Sequence, residues 1–282
     1  MAAELINGKE IAQELRSQLV RDIRYLAEKD IIPGLAVVLV GDDPASRTYV
    51  TMKQKACEKL GLYSRLIELE ETISEKELLD IVKQLNNDDD IDGILVQLPL
   101  PKHIEETTII EAISPEKDVD GFHPINIGRM MTGQDSFLPC TPYGIIKLIE
   151  AINVPLEGKH VVVVGRSNIV GKPMGQLCLN RNATVTYCHS KTSDLQKHTS
   201  QADILISAVG VRGLITKDHV KDGAIVIDVA MNRDEENKLC GDVIFEEVKE
   251  KASFITPVPG GVGPMTITML LYNTIKSTKR KL

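Results

Sequence analysis

The stretch 160–175, HVVVVGRSNIVGKPMG, constrains the fold more than any other part of the chain. A short, continuous, β-branched apolar run is a strand buried on both faces, and such strands belong to parallel sheets covered by helices. Glycines at 165, 171 and 175 follow at once, and helix-forming residues come after them. A strand, a glycine turn and a helix in this order offer free backbone N–H groups and the positive end of the helix dipole to a pyrophosphate. The spacing departs from GxGxxG, because Ser167 stands where the second glycine is usual. An ordinary tight turn in a doubly wound sheet is therefore the alternative at this point.

The following strand, 183–188, ends in His189, Ser190 and Lys191. A site for NAD usually carries Asp or Glu about 20 residues after the glycine turn, bonded to the ribose hydroxyls. No acid stands at the end of this strand, and Arg166 lies in the turn itself. A guanidinium and a hydroxyl would hold a 2′-phosphate that a carboxylate would repel. NADP is expected over NAD.

The rest of the chain has the same alternation. Ile11, Leu15, Leu19, Ile23 and Leu26 recur near the helical period. A strand is expected at 35–41 (LAVVLVG), a helix from Ser46 to Leu60 ended by Gly61, a strand at 64–69, a helix at 74–85 and a strand at 93–100. This is βαβ patterning. Thr141 and Pro142 suit a helix start, with that helix running to about Ile152. Further strands are expected at 204–208, 224–229 and 253–256, and a last helix at about 265–277. A length of 282 residues favours two domains over one. The fold class expected is α/β.

Composition removes several functions. With a net charge of −7 and no basic face, a nucleic-acid partner is not expected. No apolar run approaches a membrane span, and the first residues lack the apolar core of a signal peptide. Five cysteines at 57, 140, 178, 188 and 240 form no CxxC pair, which fits a reducing, cytoplasmic setting better than a disulfide scaffold. No clustered His/Cys ligand set is visible, so no metal is expected, and His123, His189 and His198 stand apart from one another.

Chemistry is suggested by four segments. Ser46, Tyr49 and Lys53 share a helix face just beyond the carboxyl end of a strand, where α/β folds bind ligands. As a bare pattern, Tyr-xxx-Lys is more often a packed phenol and a surface amine. Gln97 lies in an otherwise apolar strand, where its amide must find a partner or a ligand. Asp118 and Asp120 precede Gly121, as acids do in ordinary turns. PGGVGP, residues 259–264, holds three glycines and two prolines in six positions, more than a chain reversal needs. Glycines there would let backbone approach a flat ligand closely.

Taken together, SRTYVTMKQKACEKLG, GILVQLPLP, PEKDVDGFHPINIG, PCTPYGI, VVVVGRSNIVGKPM and TPVPGGVGPMT closely resemble the bifunctional methylenetetrahydrofolate dehydrogenase/cyclohydrolase family, from about residue 4 to 275. The resemblance implies a folate-binding catalytic domain over 1–139 and a Rossmann-like NADP domain over 140–282, with a cleft between them. It implies that the final helix, about 265–282, returns to the first domain, and that the protein is a homodimer. Lys53 would be the catalytic lysine, Tyr49 would position the folate, Gln97 would tune Lys53, and Asp120 would hold the pterin ring. Ser46 and the loop of Pro259, Gly260, Gly261, Val262 and Gly263 would border tetrahydrofolate derivatives. Gly165, Arg166, Ser167, Gly171, His189, Ser190, Gly210 and Ala230 would contact NADP. Methylenetetrahydrofolate would be oxidised to the methenyl form, and the methenyl form hydrolysed to 10-formyltetrahydrofolate, within one-carbon metabolism and purine biosynthesis. Two other readings stay open: an NAD-preferring dehydrogenase with weak hydrolysis, and a dinucleotide-binding sensor without turnover.

Overall fold

The computed structural model describes residues 2–282. The chain runs through β1 (Glu4–Leu5), α1 (Gly8–Ala27), β2 (Gly34–Val40), α2 (Pro44–Leu60), β3 (Tyr63–Leu69), α3 (Glu75–Asn86) and β4 (Gly93–Val96). It continues through α4 (Glu106–Ala112), α5 (Pro124–Met131), α6 (Cys140–Ala151), β5 (His160–Val164), α7 (Gly171–Leu179), β6 (Thr184–Cys188) and α8 (Leu195–Thr199). It ends with β7 (Ile204–Ser207), β8 (Ile225–Asp228), β9 (Asn232–Arg233), β10 (Leu239–Cys240), α9 (Phe245–Val248), β11 (Phe254–Ile255) and α10 (Val262–Lys279).

Two compact units are formed. One takes Glu14–Cys140 together with Ile267–Leu282, and the other takes Met1–Gln13 together with Thr141–Thr266. Each unit thus borrows one end of the chain, so neither is a continuous stretch.

The first unit is built on a three-stranded parallel sheet in the order β3-β2-β4. Every residue of β2 is buried, as expected of a strand covered on both faces. Ala36, Val38 and Val40 pack with Ile94, Val96, Leu78, Val82 and Ile109 in one apolar cluster. The strand expected over 93–100 stops at Val96, because Pro99 and Pro101 fix the backbone and lack the N–H that a continued ladder uses. Gln97 still donates its backbone N–H to Val38 O (2.8 Å), so its side chain is fixed at the carboxyl edge of the sheet. The helix expected from Ser46 starts two residues earlier, at Pro44. Asp43 caps it, with Oδ2 accepting from Ser46 N at 2.7 Å. Pro44 at the first helical position leaves no N–H to satisfy. The last part of α10 belongs to this unit. Arg16 Nε donates to Thr268 Oγ1 (2.9 Å) and Ser277 Oγ donates to Asp92 O (2.7 Å).

The second unit is a six-stranded, all-parallel sheet in the order β1-β11-β8-β7-β5-β6. The order steps outward in both directions from β5 and β7, so helices cover both faces as in a Rossmann-like fold. The expected strands at 160–165, 183–188, 204–208, 224–229 and 253–256 all form, each shorter by one or two residues. β1, which pairs with β11, carries no sequence signal because two residues show no period. The helix placed after Thr141 begins at Cys140, and Thr141 Oγ1 is instead bonded to Thr266 Oγ1 (2.9 Å). The last helix starts at Val262, three residues before the expected 265.

Candidate active site

In the first unit, α2 carries Lys53 inward, and its side chain is only 7% exposed. Its Nζ donates to Gln97 Oε1 at 2.9 Å. Gln97 Nε2 in turn donates to Leu98 O at 2.7 Å, which fixes the amide so that its oxygen faces the amine. The polar residue in the apolar strand therefore has its partner, 44 residues away in sequence. Burial pulls the Lys53 pKa below the ordinary lysine value, while the nearby Asp120 and Cys140 oppose that shift. Burial pushes the Asp120 carboxyl up, against the pull of Lys53 and the lesser influence of the neighbouring Cys140. Each group of this pair is thus drawn toward its neutral form by burial and toward its charged form by the other. Tyr49, one turn before Lys53, is half-buried, and burial raises its phenol pKa. Ser46 is buried in the first turn of the same helix.

The two acids of KDVDG divide their work. Asp118 is 2% exposed and accepts from Phe122 N (3.1 Å), His123 N (2.9 Å) and Asn126 Nδ2 (2.7 Å), which shapes the turn into α5. Burial outweighs these bonds and pushes its pKa up to about 7. Asp120 is left to face Lys53. Gly121 is needed where this turn passes the irregular segment before α6. At φ +76°, a β-carbon there would lie 2.6–2.8 Å from the Leu138–Pro139 backbone. Cys140, which lies in the PCTPYGI segment but has no role expected of it from the sequence, and Asn273, which lies in none of those segments, also belong to this cluster.

In the second unit, the turn after β5 is built from close backbone approaches. Gly165 has φ +131°, and a β-carbon on it would meet Ala208 O at 2.5 Å. One on Gly171 would meet Gly165 O at 2.3 Å and Arg166 N at 2.7 Å, and one on Gly175 would strike the Tyr187 ring. The Ser167 hydroxyl, at the departure from GxGxxG, accepts from Val170 N (3.1 Å) and Gly171 N (3.3 Å) and so holds the turn that leads into α7. Gly171→Ala is expected to destabilise this unit by about 1–3 kcal/mol through overpacking. A chemical-denaturation curve with an unchanged midpoint would contradict the contact.

Arg166 and Ser190 are exposed beside this turn and the end of β6. The loop after β6 is preset: His189 N donates to Thr192 Oγ1 (2.8 Å), and Lys191 N donates to His189 Nδ1 (3.1 Å). After β7, Asp242 collects Val209 N, Gly210 N and Val211 N at 2.9, 3.3 and 2.7 Å. After β8, Ala230 N donates to Asp228 Oδ1 (3.2 Å). These four loops stand at the carboxyl ends of parallel strands, where open α/β sheets bind ligands. Asp242 has no sequence signal of its own, since its partners lie some 30 residues earlier.

The glycine-rich segment 259–264 also falls in the second unit. Gly260 has φ +110°. Gly261 lies under Thr256 and Pro257, where a β-carbon would approach to 2.8 and 2.7 Å. A β-carbon on Gly8 would meet Gly261 O at 1.8 Å, so the loop is packed on the start of α1. Two of the three glycines thus have a backbone reason. Gly263 faces open space, with nothing within 4 Å of an added β-carbon. Among the described residues, no group of three His, Cys, Asp or Glu side chains could hold a metal ion, and no helix is long and apolar enough to cross a membrane.

A Rossmann-like nucleotide-binding unit joined to an α/β unit that buries a lysine against an amide and a carboxylate defines a class: the dinucleotide-dependent enzymes with an acid–base group of their own. Comparison with known proteins narrows the class. Residues 6–120 match the family model for the catalytic domain of tetrahydrofolate dehydrogenase/cyclohydrolase, and residues 139–282 match its NAD(P)-binding domain. The chain belongs to the tetrahydrofolate dehydrogenase/cyclohydrolase family. It is 64% identical over 280 residues to the bifunctional protein FolD of Bacillus anthracis, covering 99% of this chain and 98% of that one. The structure is similar to that of the bifunctional FolD methylenetetrahydrofolate dehydrogenase/cyclohydrolase from Campylobacter jejuni, with TM-score 0.98, 53% identity and both chains fully covered. It is also similar to a Trypanosoma brucei methylenetetrahydrofolate dehydrogenase-cyclohydrolase complexed with NADP and an inhibitor. There the TM-score is 0.96 and the identity 36%, over 100% of this chain and 99% of that one.

Proposed function

We propose that this protein oxidises 5,10-methylenetetrahydrofolate with NADP⁺ and hydrolyses the methenyl product to 10-formyltetrahydrofolate, using Lys53 as the proton-transfer group. The observation that carries this reading is the buried Lys53–Gln97 bond beside Asp120.

NADP⁺, when bound, accepts a hydride from the methylene carbon between two folate nitrogens. Those nitrogens supply the electrons that leave the product a stabilised cation, so the protein's part in this step is orientation. Well-oriented reactants can remove ~7–11 kcal/mol from a barrier. Tyr49 and Ser46 on α2 and Asp120 are the proposed folate contacts, with Asp120 holding the polar edge of the pterin. The loop of Pro259, Gly260, Gly261, Val262 and Gly263 is the proposed border of the same substrate.

Hydrolysis of the cation adds water and then opens the ring, and both events move protons. Lys53 is suited to this because burial makes its neutral form accessible nearer working pH. Gln97 holds the amine through a neutral acceptor and so does not lock the charge as a carboxylate would. Asp120 provides a counter-charge when Lys53 takes up a proton.

The proposed dinucleotide contacts are the turn at Gly165, Arg166, Ser167 and Gly171, the loop at His189 and Ser190, and the loops at Gly210 and Ala230. The fit rests on the open glycine turn and on the exposed Arg166 and Ser190 where no acid stands. Arg166→Ala is expected to raise the apparent KM for NADP⁺ by at least ~10-fold, the scale of a lost charge-assisted bond, with little change for NAD⁺. Equal losses with both cofactors would remove Arg166 as the 2′-phosphate ligand. A homodimer in the cytoplasm belongs to the same proposal, supported by the family and by five free cysteines.

The reading is tested by supplying methylenetetrahydrofolate with NADP⁺ or NAD⁺ and following reduced cofactor together with methenyl formation and decay. Reduction without methenyl decay, or faster reduction of NAD⁺, would overturn it.

A further inference from the structure

Asn273 lies in the middle of α10 and is 1% exposed. Its Nδ2 donates to Val119 O at 2.8 Å and to Leu138 O at 3.0 Å. Those two bonds use both amide protons of the side chain. The same nitrogen stands 3.7 Å from Cys140 Sγ. Cys140 Sγ donates to Val119 O (3.3 Å), and Cys140 N donates to Asp120 O (3.3 Å). The peptide before Asp120 is therefore gripped by Asn273 and Cys140, and the peptide after it by the Cys140 backbone. An amide buried this deeply must place both of its protons on acceptors, and here it places them on carbonyls of two different loops, adding a tie between segments that Cys140 already joins.

We propose that Asn273 is a positioning residue for the proton-transfer site: by tying the Val119 and Leu138 carbonyls together it fixes the Asp120 carboxylate relative to Lys53. The proposal rests on the reading of Lys53 and Asp120 given above. It touches neither the substrate nor the cofactor directly. The donors matter because the two loops, 118–121 and 138–140, share no regular ladder that would hold them in register. Removing both protons leaves the turn tied to segment 138–140 only by the two longer Cys140 bonds, and a displacement of about 1 Å can cost ~10²-fold in rate.

The test is a double-mutant cycle on methenyltetrahydrofolate hydrolysis with Asn273→Ala and Asp120→Asn, with NADP⁺ binding by fluorescence titration as the control for folding. Asn273→Ala alone is expected to lower hydrolytic kcat by ~10–100-fold while NADP⁺ affinity stays within ~2-fold of the parent. In the Asp120→Asn background the same substitution is expected to change kcat by less than ~2-fold, since there is no carboxylate left to position. Asn273→Ser, which keeps one donor, is expected to recover part of the rate and serves in place of the alanine variant if that fails to bind NADP⁺. A loss of the same size in both backgrounds would overturn the proposal and leave Asn273 a packing residue, as would full activity of the single variants. If Asp120→Asn by itself hydrolyses at the parental rate, the reading of Asp120 fails and the proposal falls with it.

Discussion

Lys53→Gln is expected to lose methenyl hydrolysis by ~10²–10⁴-fold, the range contributed by a positioned acid–base group. Hydride transfer falls less, so the variant releases methenyltetrahydrofolate instead of the formyl product. Lys53→Arg is expected to fail equally, because a guanidinium keeps its proton. The parent's hydrolysis should follow the neutral amine. Burial lowers the Lys53 pKa, so activity is present above that lowered value and lost as pH falls through it. Asp120 and Cys140 are the titratable groups that oppose the shift. Asp120→Asn removes one of those opposing charges, so the pKa falls further and the acid limb moves to lower pH in whatever activity remains. A limb that stays in place, or moves to higher pH, would show that another group titrates. Stopped-flow loss of the methenyl chromophore across pH measures all of these.

The parts that were legible in the sequence are those with local causes. The valine run makes β5 because β-branched residues with no polar partner need a strand buried on both faces, and the glycines after it could be placed before any contact was seen. Gln97 stands out in the sequence because a lone amide in an apolar run is costly to bury, and Lys53 because it shares a helix face with Ser46 and Tyr49. Their bond was not legible, since nothing in local spacing brings residues 44 apart within 2.9 Å. That juxtaposition entered only through the resemblance. Contacts made through carbonyls or backbone amides leave no trace at the residue contacted. Asn273 serves Val119 and Leu138, and Asp242 serves residues 209–211, so neither could be found by motif. Strand β4 was overextended because an apolar run says where burial continues and not where hydrogen bonding stops.

Asp242→Ala is expected to unhinge the loop after β7. Asp242 is fully buried, and besides the three consecutive backbone amides it accepts from Ser207 Oγ (2.9 Å) and Asn232 Nδ2 (3.1 Å). A buried donor left without its acceptor costs about 1–3 kcal/mol, and five donors lose theirs at once. Some will find water, so a loss on the order of 3 kcal/mol is expected, lowering Tm by roughly 6–12 °C for a unit of this size. NADP⁺ affinity should fall with it, while methenyl hydrolysis below the melting temperature should persist, because that step needs no cofactor. A second consequence concerns Asp228, whose pKa is pushed up to about 6 by burial first and by the Asp242 charge among the lesser causes. A carboxyl raised in the folded state binds protons that the unfolded chain has released. Its contribution is intact below the ordinary carboxylate range and is lost as pH rises toward 6. Without Asp242 a lesser upward push on that pKa is removed while burial, the largest, remains, so the variant's pH dependence between about 4 and 6 should weaken only slightly. Calorimetric melting across that range decides it. An unchanged Tm would mean that Asp242 does not organise this loop as its bonds suggest.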